Sequence, residues 1–189
     1  MNVGSGTNQF TFKVHENVLI ETPFFQACLQ SGFVESTRRE VNLPEDDPAA
    51  MEQVLLWLYL GRTDICTARG DETIRAVQTF VLADNLLVER LANDILDMFQ
   101  DYCQLYIVPT AALIEIIRYG AAAGRLKEML LQQLENDTRY AGWDNYVRED
   151  PRLLELRTDR SIAGAHDPMR VLTSSESGAD PSWSLDPCE

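Results

Sequence analysis

The chain has 189 residues, with 16 Lys and Arg against 30 Asp and Glu, a formal net charge of −14. That balance repels phosphate backbones and anionic lipid headgroups, which disfavours nucleic acid and membrane surfaces as partners. Cys28, Cys66, Cys103 and Cys188 stand far apart, with no C-x-x-C pair and no histidine spaced to complete a zinc set, so free thiols in a reducing, intracellular setting (cytoplasmic or nuclear) are expected.

Gly4-Ser5-Gly6-Thr7-Asn8 reads as a turn. Its Gly4-x-Gly6 pair is not a dinucleotide loop, because Gln9 takes the place of the third glycine and a strand follows where a helix is required. Phe10, Phe12 and Val14 alternate with Thr11 and Lys13, the period of a half-buried strand. Met1–Val3 is too short to make a useful strand beside it, so the outer edge carrying Phe10 and Phe12 is expected to be open to a partner or a second copy.

Thr22 before Pro23 reads as an N-cap followed by proline at the first helical position. Val41 and Leu43 suggest a second short strand, and Arg62 to Cys66 a third. Asp47-Pro48 repeats the cap-and-proline device. Met51, Val54, Leu55, Leu58 and Tyr59 then fall on one helical face, until Gly61 supplies a left-handed stop.

From Asp71 the helical period returns in Ile74, Val77 and Val81, breaks at Asp84-Asn85, and resumes through Val88, Leu91, Ile95, Leu96 and Phe99. A second helical block follows Pro109. There Leu113, Ile114, Ile116 and Ile117 are too densely apolar for a solvated helix, and Leu126, Met129, Leu130 and Leu134 make another amphipathic face beyond Gly120 and Gly124. The apolar run Ile107–Ile117 contains Pro109 and Glu115 and is too short to span a bilayer, and the first residues show no secretory signal. Past about Tyr146, Asp-Pro steps punctuate a segment rich in Ser, Gly and charge. It is expected to be disordered, apart from a brief helix at Leu153, Leu154 and Leu156.

The ordered set Phe12-x-Val14-His15-x-x-x-Leu19, Thr22-Pro23-Phe24-Phe25, Phe33-x-Glu35-Ser36, Leu43-Pro44 with its acidic run, and Trp57-Leu58-Tyr59-x-Gly61 resembles the BTB/POZ domain. It is most similar to the short stand-alone BTB proteins of filamentous fungi. The resemblance implies an α+β fold, a small mixed sheet flanked by a helical cluster. It places the domain at residues 1–104 with its first strand truncated, a helical extension at 105–146 and an acidic, Ser- and Pro-containing tail at 147–189. It also implies a non-catalytic protein–protein interaction module.

Each candidate residue has a plain structural reading beside a sharper one. His15 lacks the nucleophile, second histidine and orienting carboxylate that catalysis needs. With Leu19, Phe25, Trp57 and Tyr59 it is assigned to the structural core. Glu45, Asp46 and Asp47 suit a capped helix start better than a calcium site, whose oxygens are staggered. No cofactor, metal or catalytic residue is indicated.

Phe33-Val34-Glu35 matches the hydrophobic-any-Glu pattern with which many BTB adaptors contact a cullin-3 scaffold. Phe33 would fill a pocket and Glu35 make a polar contact. The implied partners are a cullin and an unknown client, with a homodimer through Phe10 and Phe12 as a further expectation. The alternative is a homo- or hetero-oligomerising scaffold, or a transcription-associated BTB protein, with no ligase role.

Overall fold

A computed structural model of the chain describes residues 1–30, 32, 34–65, 70–136, 148 and 150–154. The sheet is small and mixed. Strand β1 (Asn2–Val3) lies between β2 (Phe10–Thr11) and β3 (Asn42–Leu43), antiparallel to the first and parallel to the second. The register pairs Asn2 with Thr11 and Asn42, and Val3 with Phe10 and Leu43.

This corrects two expectations. Short as it is, Asn2–Val3 does form a pairing strand, and it is the middle one. The strand expected over Phe10–Val14 shortens to Phe10–Thr11. The two-residue β1 holds its place because pairing outruns its length. The Met1 α-ammonium donates to the Phe12 carbonyl at 2.9 Å and the Phe12 N–H returns to Met1 O at 2.8 Å. On the other side the N–H groups of Asn2 and Gly4 donate to Val41 O and Leu43 O, each at 2.9 Å.

The Asn2 side chain stitches all three strands. It accepts from Thr11 Oγ1 at 2.8 Å and donates to Asn42 Oδ1 at 2.9 Å and Glu40 Oε1 at 2.6 Å. The turn after β1 depends on Gly4, whose φ is +81° and where a Cβ would stand 2.3 Å from the Asn8 carbonyl oxygen. A single 3-10 turn at Gly6–Asn8 completes the reversal.

Helices α1 (Glu16–Leu19), α2 (Pro23–Gln30) and α3 (Val34–Arg38) link β2 to β3. Thr22 occupies the capping position of α2, its carbonyl accepting from Gln26 N at 3.0 Å, but its hydroxyl donates backward to Leu19 O at 2.9 Å. Helix α4 (Pro48–Leu60) starts and stops as its sequence implies. Asp47 Oδ1 accepts from the N–H groups of Ala49 and Ala50, and Gly61 (φ +67°) closes the end by donating to Trp57 O at 2.7 Å. Residues 62–65 form no strand, and Cys66 lies outside the described residues.

Helices α5 (Gly70–Asn85) and α6 (Glu89–Leu105) form the expected hairpin, α7 (Thr110–Tyr119) and α8 (Gly124–Asn136) the block beyond Pro109. Helix α5 is central and packs on α4, α6 and α7, with Val77 and Phe80 fully buried against a core that includes Leu91, Ile95 and Phe99. Each such side chain contributes about 1.5–3 kcal/mol by leaving water. Leu113, Ile116, Leu126 and Leu130 join the same continuous core, so α7 and α8 pack as one body with the preceding helices.

Within the tail, where a brief helix was expected at Leu153, Leu154 and Leu156, Pro151–Leu153 forms a 3-10 turn against α7. Leu153 there is fully buried. Residues 147, 149 and 155–189 of that segment lie outside the described residues.

Candidate protein-interaction surfaces

Of the triplet Phe33-Val34-Glu35, Phe33 lies outside the described residues. Glu35 sits in the first turn of α3, half-buried, with its main-chain carbonyl accepting from Glu40 N at 3.3 Å. Its carboxylate is close enough to α2 to act on Cys28. Burial pushes the Cys28 thiol pKa up, and the negative charge of Glu35 adds to the shift. Cys28 is therefore a poor nucleophile in this setting.

The edge residues separate by environment. Phe10 is 56% exposed, whereas Phe12 is half-buried against the core, and their rings meet at 4.8 Å in a tilted pair. The inner side of β2 is taken by β1, so the apolar surface left to solvent is mainly Phe10. Beyond β2, Phe12–His15 lie across from the end of α3 and the turn after it, Arg38–Glu40. Between them is a cleft of ≈ 590 Å³ whose walls also include Met1, Asn2 and Thr11. A smaller cavity of ≈ 300 Å³ adjoins it, lined by Met1, Val14, Glu16, Leu19, Leu29, Arg39 and Val41.

The five residues assigned to the core divide likewise. Leu19 and Phe25 are buried, at 5% and 0% exposure. Trp57 is half-buried and donates its indole N–H to Asp94 Oδ2 at 2.8 Å. His15 and Tyr59 are exposed, contrary to expectation, and make a surface pair: the Tyr59 hydroxyl accepts the His15 main-chain N–H at 3.0 Å and lies 2.8 Å from His15 Nδ1. Their shared work is to fix the start of α1 on the end of α4. The position of Tyr59 on the apolar stripe of α4 hid this role, because α4 ends one residue later and turns it outward.

Two features escaped sequence reasoning. Leu105, Tyr106 and Ile107 are three consecutive exposed apolar residues where α6 leaves the bundle. The basic side chains Lys13, Arg38 and Arg39 converge on the cleft, although they are scattered in the sequence. Among the described residues no group of three His, Cys, Asp or Glu is placed to hold a metal ion. No described helix is long and apolar enough to cross a membrane.

The BTB/POZ domain family matches residues 5–102, more than half of the chain. The chain belongs to the BTB/POZ family. Its helical bundle and three-stranded mixed sheet are the α+β arrangement of that domain, and BTB/POZ domains mediate protein–protein interaction. The chain is also 25% identical over 153 residues to the Kelch repeat and BTB domain-containing protein 8 of Xenopus tropicalis, an alignment covering 80% of this chain and 23% of that protein. This BTB/POZ chain thus spans less than a quarter of the length of that relative. The alignment is longer than the matched domain and therefore carries the similarity into the helical block around α7 and α8.

Proposed function

We propose that this BTB/POZ chain is a non-catalytic intracellular adaptor that docks a cullin-3-type scaffold through α3 and presents a client on another surface. The observation that carries the reading is the placement of Glu35. It lies in the first turn of α3, two residues after Phe33 in the sequence, half-buried, with its carboxylate near Cys28 of α2. A partly desolvated carboxylate held on a short helix gives a polar contact a fixed geometry, and an aromatic side chain such as that of Phe33 is the residue type that supplies an anchor. Residues 1–104 form the docking domain in this reading, 105–146 its helical extension and 147–189 an appended segment.

Calorimetry with the purified amino-terminal region of a cullin-3 scaffold tests it. Binding by the wild-type chain, lost in Phe33→Ala and weakened in Glu35→Lys with the fold retained, supports the reading. Equal binding by all three proteins, or none by the wild type, overturns it.

A second reading, an oligomerising scaffold with no ligase role, rests on the exposure of Phe10 at the sheet edge. Light scattering coupled to size-exclusion chromatography decides it: a mass above the monomer that falls in Phe10→Asp favours the scaffold.

A further inference from the structure

We propose that the outer side of α6 from Asp94 to Leu105, with Tyr106 and Ile107 beyond it, is the docking surface for a basic, amphipathic helix of a partner protein. The apolar end of this surface has a fixed shape. Leu105, Tyr106 and Ile107 are 74%, 49% and 55% exposed, and three such neighbours make a patch where scattered single ones would need no explanation. The Tyr106 ring stacks on that of Tyr102 at 5.1 Å, and the Tyr106 N–H donates to Tyr102 O at 2.8 Å. The Tyr102 hydroxyl donates in turn to Ile107 O at 3.3 Å, and Val108, next along, is buried. The turn is therefore pinned from its inner side, so its apolar groups face outward already ordered, which lowers the cost of binding.

Charge identifies the occupant. Asp94, Asp97, Asp101 and Leu105 follow one another at intervals of three, four and four residues, so they share one side of α6, and all are exposed. From Leu91 to Ile117 the chain carries no Lys, Arg or His. Among the described residues none of these three aspartates has an ion-pair partner. Asp94 accepts the Trp57 indole N–H, which leaves its charge in place. Asp97 and Asp101 repel each other one turn apart, and Asp101 stands near the negative end of the helix dipole. The stability of α6 thus gains nothing from these carboxylates. Cationic side chains three and four residues apart on a partner helix would match their spacing, and apolar ones beside them would cover Leu105 and Ile107. A second copy of this chain would set aspartates against aspartates, and nucleic acid or an anionic membrane would meet the same repulsion. From Asp94 to Leu105 the stripe is about 16 Å long at ~1.5 Å per residue, the length of a three-turn helix. The surface lies on a different helix from α3, and its test contains no cullin, so failure of one reading leaves the other standing.

The probe is a fluorescein-labelled peptide, Leu-Ala-Gln-Leu-Leu-Gln-Ala-Lys-Ala-Gln-Ala-Lys-Ala-Gln-Lys, titrated into the purified full chain. Laid antiparallel to α6, its second leucine meets Leu105 and its lysines meet Asp101, Asp97 and Asp94 in turn. One control exchanges each lysine with the residue two places before it, which moves the charge to the opposite face. The other has glutamate in place of lysine. Saturable polarisation with the probe is expected, roughly tenfold weaker for the face-shifted control and absent for the glutamate peptide. The double variant Asp97→Lys/Asp101→Lys should lose the probe and acquire the glutamate peptide, an exchange that loss of folding cannot produce. Leu105→Ser/Ile107→Ser should weaken the probe roughly tenfold with the circular dichroism unchanged. Amide NMR shifts should centre on residues 94–107. The proposal is overturned if the probe does not saturate, or if the lysine variant binds it unchanged. It is overturned too if probe and face-shifted control bind alike, which is general attraction to an acidic chain. A mass above the monomer by light scattering that falls in Leu105→Ser/Ile107→Ser also overturns it, because a second copy is then the occupant.

Discussion

The indole N–H of Trp57 donates to the Asp94 carboxylate at 2.8 Å, joining α4 to α6 across the rim of the core. Trp57 is half-buried, so its removal does not carry the full cost of emptying a core site. Trp57→Ala should cost about 1.5–3 kcal/mol, below the ~3–5 kcal/mol of a fully buried tryptophan. Trp57→Phe should cost about 0.5–1.5 kcal/mol by losing the bond alone. Urea denaturation of Trp57→Phe, Asp94→Asn and the double variant measures the coupling. Strict additivity would show that the hydrogen bond contributes nothing.

Asp47 accepts two main-chain N–H bonds at the start of α4. Asp47→Ala leaves both donors without that partner and should destabilise the protein by about 1 kcal/mol. For a domain of this size that lowers the melting temperature by about 2–4 °C. Asp47→Asn keeps the acceptor and should recover most of the loss.

Asp46, one residue earlier, has its pKa raised, first by burial and then by the Glu45 charge. A carboxyl whose pKa is higher in the folded than in the unfolded state favours folding when protonated. That contribution is fully present below the unfolded pKa, about 3.9, and is lost as the pH rises through the folded pKa. Asp46→Asn should therefore melt above wild type at neutral pH, with the difference shrinking to zero in acid. Paired melting curves across that range check the sign. A gain that is constant with pH would exclude ionisation as its source.

Leu153 is fully buried against α7, although it lies beyond the helical block. Ending the chain after residue 154 should leave the melting temperature unchanged within error. Ending it after residue 149 should destabilise the protein, and Leu153→Ala should reproduce the effect at about 2–5 kcal/mol. Differential scanning fluorimetry of the three proteins suffices. Equal melting of both truncations would show that the contact contributes no stability.

Tyr59→Phe removes the hydroxyl that His15 engages twice. The pair is exposed, so the expected loss is small, about 0.5–1.5 kcal/mol. Amide exchange should quicken at the start of α1 and remain unchanged in α5. Faster exchange throughout the core would show a wider role for this contact.

Features encoded within a few residues were legible in the sequence. Asp47, Pro48 and Gly61 delimit α4 because capping and left-handed termination are decided by neighbouring main-chain groups. The α5–α6 hairpin was visible because apolar side chains repeat with the helical period over several turns. The order of such short landmarks was also enough to show the resemblance to the BTB/POZ domain. Tertiary structure decided the rest. A two-residue strand has no period to read, and β1 exists only because residues 10–12 and 41–43 supply its hydrogen bonds. Tyr59 carries the apolar spacing of a core residue, yet the end of α4 turns it toward His15. Leu153 stands in a short leucine-bearing stretch whose sequence names no packing partner, and α7 provides the surface that buries it. The cleft was invisible for the same reason. Its walls come from residues 1–2, 11–15 and 38–40, and contacts across such separations have no local signature in the chain.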